Sequence, residues 1–502
     1  MSGPVDASGL PSGENDSELS AFDLLMHRGE ASPRTRSGIM ALEILDVTPD
    51  WERFRDLFEN ASRKALRLRQ KVVMPTLPTA PARWVVDPDF NLDFHVRRVR
   101  VPEPGTLRDV MDLAEVMLQS PLDISRPLWT ATLVEGLQGG KAATLLHLSH
   151  AVTDGVGATA MFAEIYDLER DAPPRPIPPL PVPEDITGND LMREGLSYLP
   201  AAVLGGVVGA VAGGLGLVGR AMTSPASALF GAIEYARSGR RMVRRAADPS
   251  PLLRRRSLST RTEAIEMKLG DLHRAARCAE GSINDAYLAG LCGALRLYHE
   301  ELGVPVATLP MAVPVNLRAD ADPAGGNRFA GVNLGAPVGT ADPVVRIQKI
   351  RKQMISRREE VAIDLIGSVA PMLALLPDAV LQAMSGSLIA SDVQASNVPI
   401  YPGDTFIAGA KVLRQFGLGP LPGVAMMVVL ISRGGFATVT TRYDRAAIAD
   451  PDLWARCLRQ GFDEVLALAG DPHPRVVPAS FPDQSNQSPA SRAPTKRSVA
   501  YS

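Results

Sequence analysis

Seven of the eleven residues from 173 to 183 are proline, and this segment, "PPRPIPPLPVP", divides the chain into two regions of similar pattern. Proline fixes φ and lacks a backbone donor, so the segment is predicted to be a stiff, extended linker. Helical and strand patterns mix on both sides of it, over 19–172 and over 263–475. Both regions therefore predict α/β layers rather than an all-helical or all-strand fold.

Local patterns predict the elements of each region. In the first, apolar residues at three- and four-residue steps form one face of a helix: Trp51, Phe54, Leu57, Phe58 and Ala61. Apolar residues alternate in "PLWTATLVEGL", which predicts a strand, and "AATLLHLSH" is a second strand. In the second region a helix over "SINDAYLAGLCGALRLYHEEL" opens with a capping box of Ser282 and Asp285, and strands are expected at "MAVPVNL" and "VAMMVVLISRGGFATVTTRY".

Composition limits the possible binding partners and the cellular compartment. The formal net charge of −2 provides no basic field to attract nucleic acid. Three scattered cysteines fit neither a disulfide framework nor a zinc site. Residues 1–18 and 476–502 are polar and predicted to be disordered, and the N-terminus lacks the basic start and apolar middle of a signal peptide. We therefore expect a cytoplasmic protein with no nucleic-acid partner.

The segment between the two regions, 173–262, contains a second unusual stretch. Residues 195–219 carry no charge, eight of these 25 residues are glycine, and clusters of arginine follow at 237–245 and 254–256. This pattern fits a flexible crossover with a solvated charged face. It also fits peripheral attachment to an anionic lipid surface. A membrane span fits its length, but the glycine content and the folded regions on both sides argue against one.

Residues that carry chemistry follow the second strand of the first region. In "HLSHAVTDGVG", residues 147–157, His150 ends the strand, and an Asp-Gly pair, Asp154 and Gly155, begins four residues later. Side chains alternate along a strand, so His150 points to one side of the sheet and Ser149 to the other. His150 can therefore face a cleft, whereas Ser149 is expected to act through packing only.

Two interpretations fit this pattern. Imidazole has the proton affinity of a general base near neutral pH, and glycine leaves room for a substrate to reach the ring. The histidine can instead be a core residue bonded to a backbone carbonyl, with Asp154 as a helix N-cap and Gly155 in a tight turn. The chain contains no G-x-S-x-G nucleophile elbow and no metal-ligand spacing around His150. A histidine base with neither predicts direct transfer of an activated acyl group to a hydroxyl or amine.

The motif "SHAVTDG" resembles the H-H-x-x-x-D-G motif of the CoA-dependent acyltransferase fold, which chloramphenicol acetyltransferases share with the condensation domains of peptide synthetases. Other segments resemble, in order, the markers of the bacterial wax ester synthase/diacylglycerol acyltransferase family: "LSAFDLLMHRGE" (19–30), "PARWVVDPDFNLDFHVRRVRVPEPG" (81–105), "SRPLWTATLVEGL" (125–137), "SINDAYLAGL" (282–291), "PVNLR" (314–318) and "ASNVP" (395–399). The resemblance implies an α/β fold of two similar chloramphenicol-acetyltransferase-like subdomains, each of mixed sheet and helices, around a central tunnel.

The resemblance also implies roles for individual residues. His150 is the expected catalytic base, Asp154 holds its loop, and Gly155 leaves space for substrate. Arg318 is the expected basic partner from the other subdomain, and Asn284 the expected contact to substrate or to the developing oxyanion.

Two further residues qualify these roles. Asp285 can be a family marker and a helix cap at once. Ser149 stands where the family motif has its first histidine, and a serine there can hydrogen-bond a neighbour but cannot be the base.

These inferences predict an acyl-CoA:diacylglycerol O-acyltransferase that forms triacylglycerol, with acyl-CoA as co-substrate and no cofactor or metal. Wax ester synthesis with a long-chain alcohol as acceptor is the near alternative. A non-catalytic lipid-surface member is another, and so is a condensation-type enzyme, although no carrier domain is evident. We expect the protein to attach peripherally to the inner face of the cell membrane or to lipid droplets.

Overall fold

The structure, a computed structural model, describes residues 17–77, 80–152, 164–197, 246–316, 329–358, 391–398, 400–401, 403–470 and 475–481. Its helices include α1 (Ala21–Gly29), α2 (Trp51–Lys64), α3 (Leu92–His95), α4 (Leu107–Gln119), α5 (Leu269–Cys278), α6 (Ile283–Glu301), α7 (Pro343–Arg358) and α8 (Pro451–Leu466). Its strands are β1 (Gly38–Leu45), β2 (Gln70–Val73), β3 (Arg83–Val86), β4 (Val96–Arg100), β5 (Trp129–Glu135), β6 (Ala142–Ser149), β7 (Thr260–Lys268), β8 (Leu309–Asn316), β9 (Phe329–Ala336), β10 (Val393–Val398), β11 (Phe406–Ile407), β12 (Ala410–Leu418), β13 (Met426–Arg433), β14 (Phe436–Asp444) and β15 (Val477–Pro478).

The first large sheet has the order β11-β12-β1-β6-β5-β4. The pairs β12–β1, β1–β6 and β6–β5 are antiparallel, whereas β5–β4 is parallel. Helix α2 covers one face, where Phe54 and Phe58 pack with Trp129 and Leu148. Helix α4 covers the other face, so β6 is buried on both sides.

The second large sheet has the order β15-β7-β14-β13-β10-β8-β9 and also mixes parallel and antiparallel pairs. Helices α5 to α8 cover one face and form the largest core of the described residues. Helix α6 is buried along most of its length because small residues let α8 approach closely; a Cβ on Gly461 would stand 2.2 Å from the backbone nitrogen of Ala294. Two mixed sheets with helices confirm the predicted α/β class.

Chain connectivity joins the two halves in a way that sequence alone did not indicate. Strands β11 and β12 belong to the second region of the sequence, yet they complete the first sheet through β1. The predicted boundaries at 172 and 263 stay predictions, and the first sheet draws on residues from both sides of them. The central tunnel stays a prediction as well.

Residues near both ends of the described ranges differ from the prediction. Val477–Pro478 pairs with β7 although 476–502 was predicted to be disordered, because Val476 is buried and Phe481 packs on the core between α4 and β1. Near the N-terminus, the carbonyl of Ser17 accepts a bond from the backbone of Trp84. The proline-rich segment has no regular secondary structure, its stiff extended conformation stays a prediction, and the carbonyl of Pro178 accepts a bond from Arg63 of α2.

Candidate active site

The structure places His150 directly after β6, at the second position of a tight turn. The amide of Val152 donates to the carbonyl of Ser149 at 3.0 Å, which closes this turn over residues 149–152. The His150 amide donates in turn to the carbonyl of Ser37, just before β1, at 3.2 Å. Its side chain is half-buried. The turn that carries the predicted base is thus held by one bond within the turn and by one bond to the residue that precedes β1.

The predicted alternation along β6 is confirmed. Leu146 and Leu148 belong to the core under α2, whereas Leu145 belongs to the core under α4. The side chain of Ser149 therefore points to the face of the sheet that α4 covers.

Trp129, opposite Leu148, has a structural position. Its indole donates to the carbonyl of Leu68 at 2.7 Å, and its ring stacks on His95 with centroids 4.7 Å apart. Its own carbonyl is 2.7 Å from Nδ1 of His95.

Ser149 does more than fill space, so the expectation that it acts through packing only is wrong. It is fully buried, and its hydroxyl donates to Oε1 of Glu30 at 2.8 Å. The same hydroxyl accepts a bond from the amide of Ala151 at 3.3 Å. Strand alternation located the side chain but could not reveal its partner, which lies 119 residues away in sequence.

His147 does not suit the role of a general base that the sequence predicts for His150. Burial lowers its pKa to about 3, and the charges of Arg442, Arg36 and Arg97 act in the same direction. Its ring lies on the α4 face and is 3% exposed. A neutral imidazole with this surrounding is a core residue at neutral pH.

Asp285 and Asn284 lie at the start of α6. Ser282 and Asp285 form the predicted capping box: the serine amide and hydroxyl donate to Oδ2 of Asp285 at 2.8 and 2.7 Å. Arg351 of α7 approaches the same carboxylate at 3.7 Å. Asn284 is half-buried, and its side chain has no hydrogen-bond partner in the described ranges. Asp285 is therefore a cap, and Asn284 remains available for another contact.

Three predicted site residues, Asp154, Gly155 and Arg318, lie outside the described residues. Their roles stay predictions. Most of 195–219 and the arginines of 237–245 lie outside them as well, whereas Arg254 and Arg255 are described and exposed.

The described ranges contain no group of three or more histidine, cysteine, aspartate or glutamate side chains arranged to hold a metal ion. Among the helices of those ranges, none has the length and apolarity to cross a bilayer.

Sequence reasoning missed Glu30 and Ser37. Glu30 is the residue that follows α1, and Ser37 precedes β1. The only signal was that Glu30 ends the quoted segment "LSAFDLLMHRGE".

Comparison with known proteins gives matches over most of the chain. The family model "Wax ester synthase/diacylglycerol acyltransferase catalytic domain" matches residues 17–287, and the "WS/DGAT C-terminal domain" matches 325–465. A protein of Mycobacterium tuberculosis strain H37Rv, provisionally named a diacylglycerol O-acyltransferase, is 71% identical over 467 residues, which cover 93% of this chain and 95% of the relative.

Solved structures agree on the fold. The wax ester synthase/diacylglycerol acyltransferase from Marinobacter aquaeolei VT8 matches with a TM-score of 0.61 at 18% identity, over 90% of this chain and 100% of that one. A starter condensation domain of rhizomide synthetase, solved in complex with C8-CoA, matches with a TM-score of 0.55 at 14% identity, over 91% of this chain and 96% of that one. Both show the two-subdomain acyltransferase arrangement.

Proposed function

Because the chain belongs to the wax ester synthase/diacylglycerol acyltransferase family, we propose that it transfers an acyl group from acyl-CoA to diacylglycerol and forms triacylglycerol. The observation that carries this proposal is the position of His150. It directly follows a strand buried on both faces, in a turn bonded to Ser37, the residue before β1, and it matches the histidine of the resembled family motif. An imidazole there combines a backbone held by two hydrogen bonds with a side chain that is only half-buried.

The proposed reaction needs one base and no covalent enzyme intermediate. A ring nitrogen of His150 accepts the proton of the acceptor hydroxyl as its oxygen attacks the thioester carbonyl carbon. The tetrahedral intermediate then expels the CoA thiolate, which takes the proton from the imidazolium, so ester and CoA thiol are the products. General-base help of this kind contributes about 10² to 10⁴ in rate.

Other residues are assigned by the family resemblance. We propose that Asp154 holds the loop after His150, that Gly155 leaves room for substrate, and that Arg318 is the basic partner from the second region. Asn284 is proposed to donate to the developing oxyanion, and its side-chain amide, unpaired in the described ranges, supports that role. No metal or cofactor enters the reaction.

The acyl donor and the acceptor follow from related proteins. The condensation domain with C8-CoA shows that this fold accommodates an acyl-CoA in that protein. The name of the mycobacterial relative points to diacylglycerol, and the name of the Marinobacter structure covers wax ester synthesis too. We propose attachment to a lipid surface through the apolar 195–219 stretch and the arginines that follow it, since both acceptors reside in lipid.

The test uses purified full-length protein, labelled acyl-CoA and either diacylglycerol or a long-chain alcohol, with the lipid products separated. We expect labelled triacylglycerol from the wild type and at least a hundredfold loss in His150→Ala with an unchanged circular dichroism spectrum. His273→Ala is the matched control, because His273 is exposed on α5. Label only in wax ester would assign the alternative acceptor. If neither acceptor gave a product, the proposed acyltransferase activity would be contradicted. The hypothesis of a non-catalytic lipid-surface protein would then remain.

A further inference from the structure

Glu30 is a buried carboxylate whose bonds converge on the turn that carries His150. It is 2% exposed and directly follows α1. Its Oε1 accepts three bonds: from the Ser37 amide at 3.2 Å, from the Ser37 hydroxyl at 2.8 Å and from the Ser149 hydroxyl at 2.8 Å. We propose that Glu30 is a positioning residue for His150, an inference that rests on the proposed role of His150 as base.

Both serines held by Glu30 bond directly to the turn. The hydroxyl of Ser149 accepts the Ala151 amide at 3.3 Å, so the serine fixes the residue after His150 as well as the residue before it. The carbonyl of Ser37 accepts the His150 amide at 3.2 Å. Glu30 therefore holds the turn through the end of β6 and through the start of β1.

A purely electrostatic role does not account for the position of Glu30, because no cation lies close to its carboxylate among the described residues except Arg36. The nearest cation, Arg36, has its Nε 4.0 Å from Oε2, and its Nη1 donates to the carbonyl of Gln119 at 2.7 Å. Oε2 is buried and has no hydrogen-bond partner among the described residues. A carboxylate at a helix C-terminus also faces the negative end of the helix dipole. The three donors at Oε1 are thus the contacts that hold the side chain of Glu30 in place.

The serine at 149 fits this arrangement. Its short side chain can donate to Glu30 and accept from Ala151 at the same time, and its own neighbour is His150. The departure from the family's first histidine is therefore matched by a specific acceptor in this chain. Bonds of hydroxyl and amide groups to a carboxylate are stronger than neutral ones, so they restrict the turn more.

The experiment measures kcat and KM for Glu30→Gln, Ser149→Ala and the double variant, each corrected for the folded fraction. We expect each single change to lower kcat about tenfold with KM within twofold. The double variant should be no more than about twofold slower than the slower single variant, because both changes break one linkage. Ser149→Thr, which keeps the hydroxyl, should recover most of the rate lost in Ser149→Ala.

Asp444→Asn is the matched control. Asp444 is a buried carboxylate that accepts the amide and hydroxyl of Ser257 at 2.6 and 2.8 Å, as Glu30 does with Ser37, but it ends β14 in the other sheet. This variant should lose thermal stability and keep kcat within twofold. A Glu30→Gln protein with wild-type kcat, or one that loses no more than Asp444→Asn, would overturn the proposal.

A second measurement keeps the two proposals separable. Hydrogen–deuterium exchange of peptides that cover residues 145–152 should accelerate at least fivefold in Glu30→Gln and stay unchanged in Asp444→Asn. If His150→Ala retains turnover, the proposed function fails and the positioning role fails with it. If His150→Ala is inactive but Glu30→Gln has normal kcat and exchange, only the positioning role fails.

Discussion

The backbone of Gly38 lies against the ring of His147, so closely that a Cβ at position 38 would stand 2.8 Å from Nε2. Gly38 is the first residue of β1 and pairs with Ser149 at the end of β6. The same Cβ would stand 3.4 Å from Leu118 of α4, and both Leu118 and His147 are buried. The close contact therefore fixes the strand ends from which the His150 turn departs.

Gly38→Ala is expected to destabilise the protein by about 1–3 kcal/mol, because the added methyl overpacks a buried site. Urea unfolding followed by circular dichroism measures the change. Gly270→Ala is the control: a Cβ there meets only the end of Arg274 at 3.7 Å, so this variant should be as stable as the wild type or slightly more so. Equal stability of the two variants would contradict the proposed close contact.

His95 should make stability fall on acidification. The ring is fully buried between Trp129 and Phe90, and burial lowers its pKa to about 4, against an ordinary 6.5. Between these values the unfolded chain binds the proton and the folded chain does not, so the free energy of unfolding decreases as pH falls, by about 1.4 kcal/mol per pH unit.

His95→Phe keeps the stacked ring and removes the titration. Between pH 6.5 and pH 5 its stability should fall by about 2 kcal/mol less than that of the wild type, measured by urea unfolding. His27 and His147, whose pKa values burial lowers to about 4 and about 3, remain in both proteins and contribute equally. Identical pH dependence of the two proteins would show that His95 is protonated alike in both states.

Sequence reasoning succeeded where one element carries its own signal. Three- and four-residue periodicity predicted the buried face of α2, alternation predicted the two faces of β6, and Ser282 with Asp285 predicted a cap that the structure confirms. These signals lie within a few residues of one another, so they can be read without knowledge of the fold.

Long-range partners left no such signal. The pairing of β12 with β1 joins residues more than 360 positions apart, and the bond from Ser149 to Glu30 spans 119. Both depend on how the chain folds back, which periodicity does not encode. The local sequence predicts only that Glu30 is an ordinary polar residue after a helix. The folded structure shows that it is buried.

The Glu115–Arg442 pair links α4 to the second sheet and should be strongly coupled. Arg442 Nε lies 3.3 and 3.2 Å from the two carboxylate oxygens of Glu115, and the hydroxyls of Thr260 and Thr262 donate to the same carboxylate. Arg442→Met would leave this carboxylate buried without its cation, at a cost of about 3–5 kcal/mol.

Replacing both partners should restore much of that loss. Arg442→Met combined with Glu115→Leu is expected to be at least about 1 kcal/mol more stable than Arg442→Met alone, because no buried charge remains. The double-mutant cycle is measured by urea unfolding. Additive effects of the two substitutions would indicate that water already screens the pair.

Asn284 and Asp285 are adjacent, yet their replacement should affect different properties. Asp285 is 4% exposed and accepts two bonds from Ser282, so Asp285→Ala should cost about 0.5–2 kcal/mol through loss of the cap and lower the melting temperature. Asn284 is half-buried with no side-chain bond in the part of the chain that the structure describes, so Asn284→Ala should leave the melting temperature within about 1 °C.

If the side-chain amide of Asn284 donates to the oxyanion as proposed, Asn284→Ala should lower kcat about a hundredfold with little change in KM, because the bond forms only in the transition state. The measurements are thermal unfolding by circular dichroism and initial rates with acyl-CoA and diacylglycerol. A drop in melting temperature with an unchanged kcat in Asn284→Ala would make Asn284 a structural residue of the α6 terminus, and another donor would then have to stabilise the oxyanion.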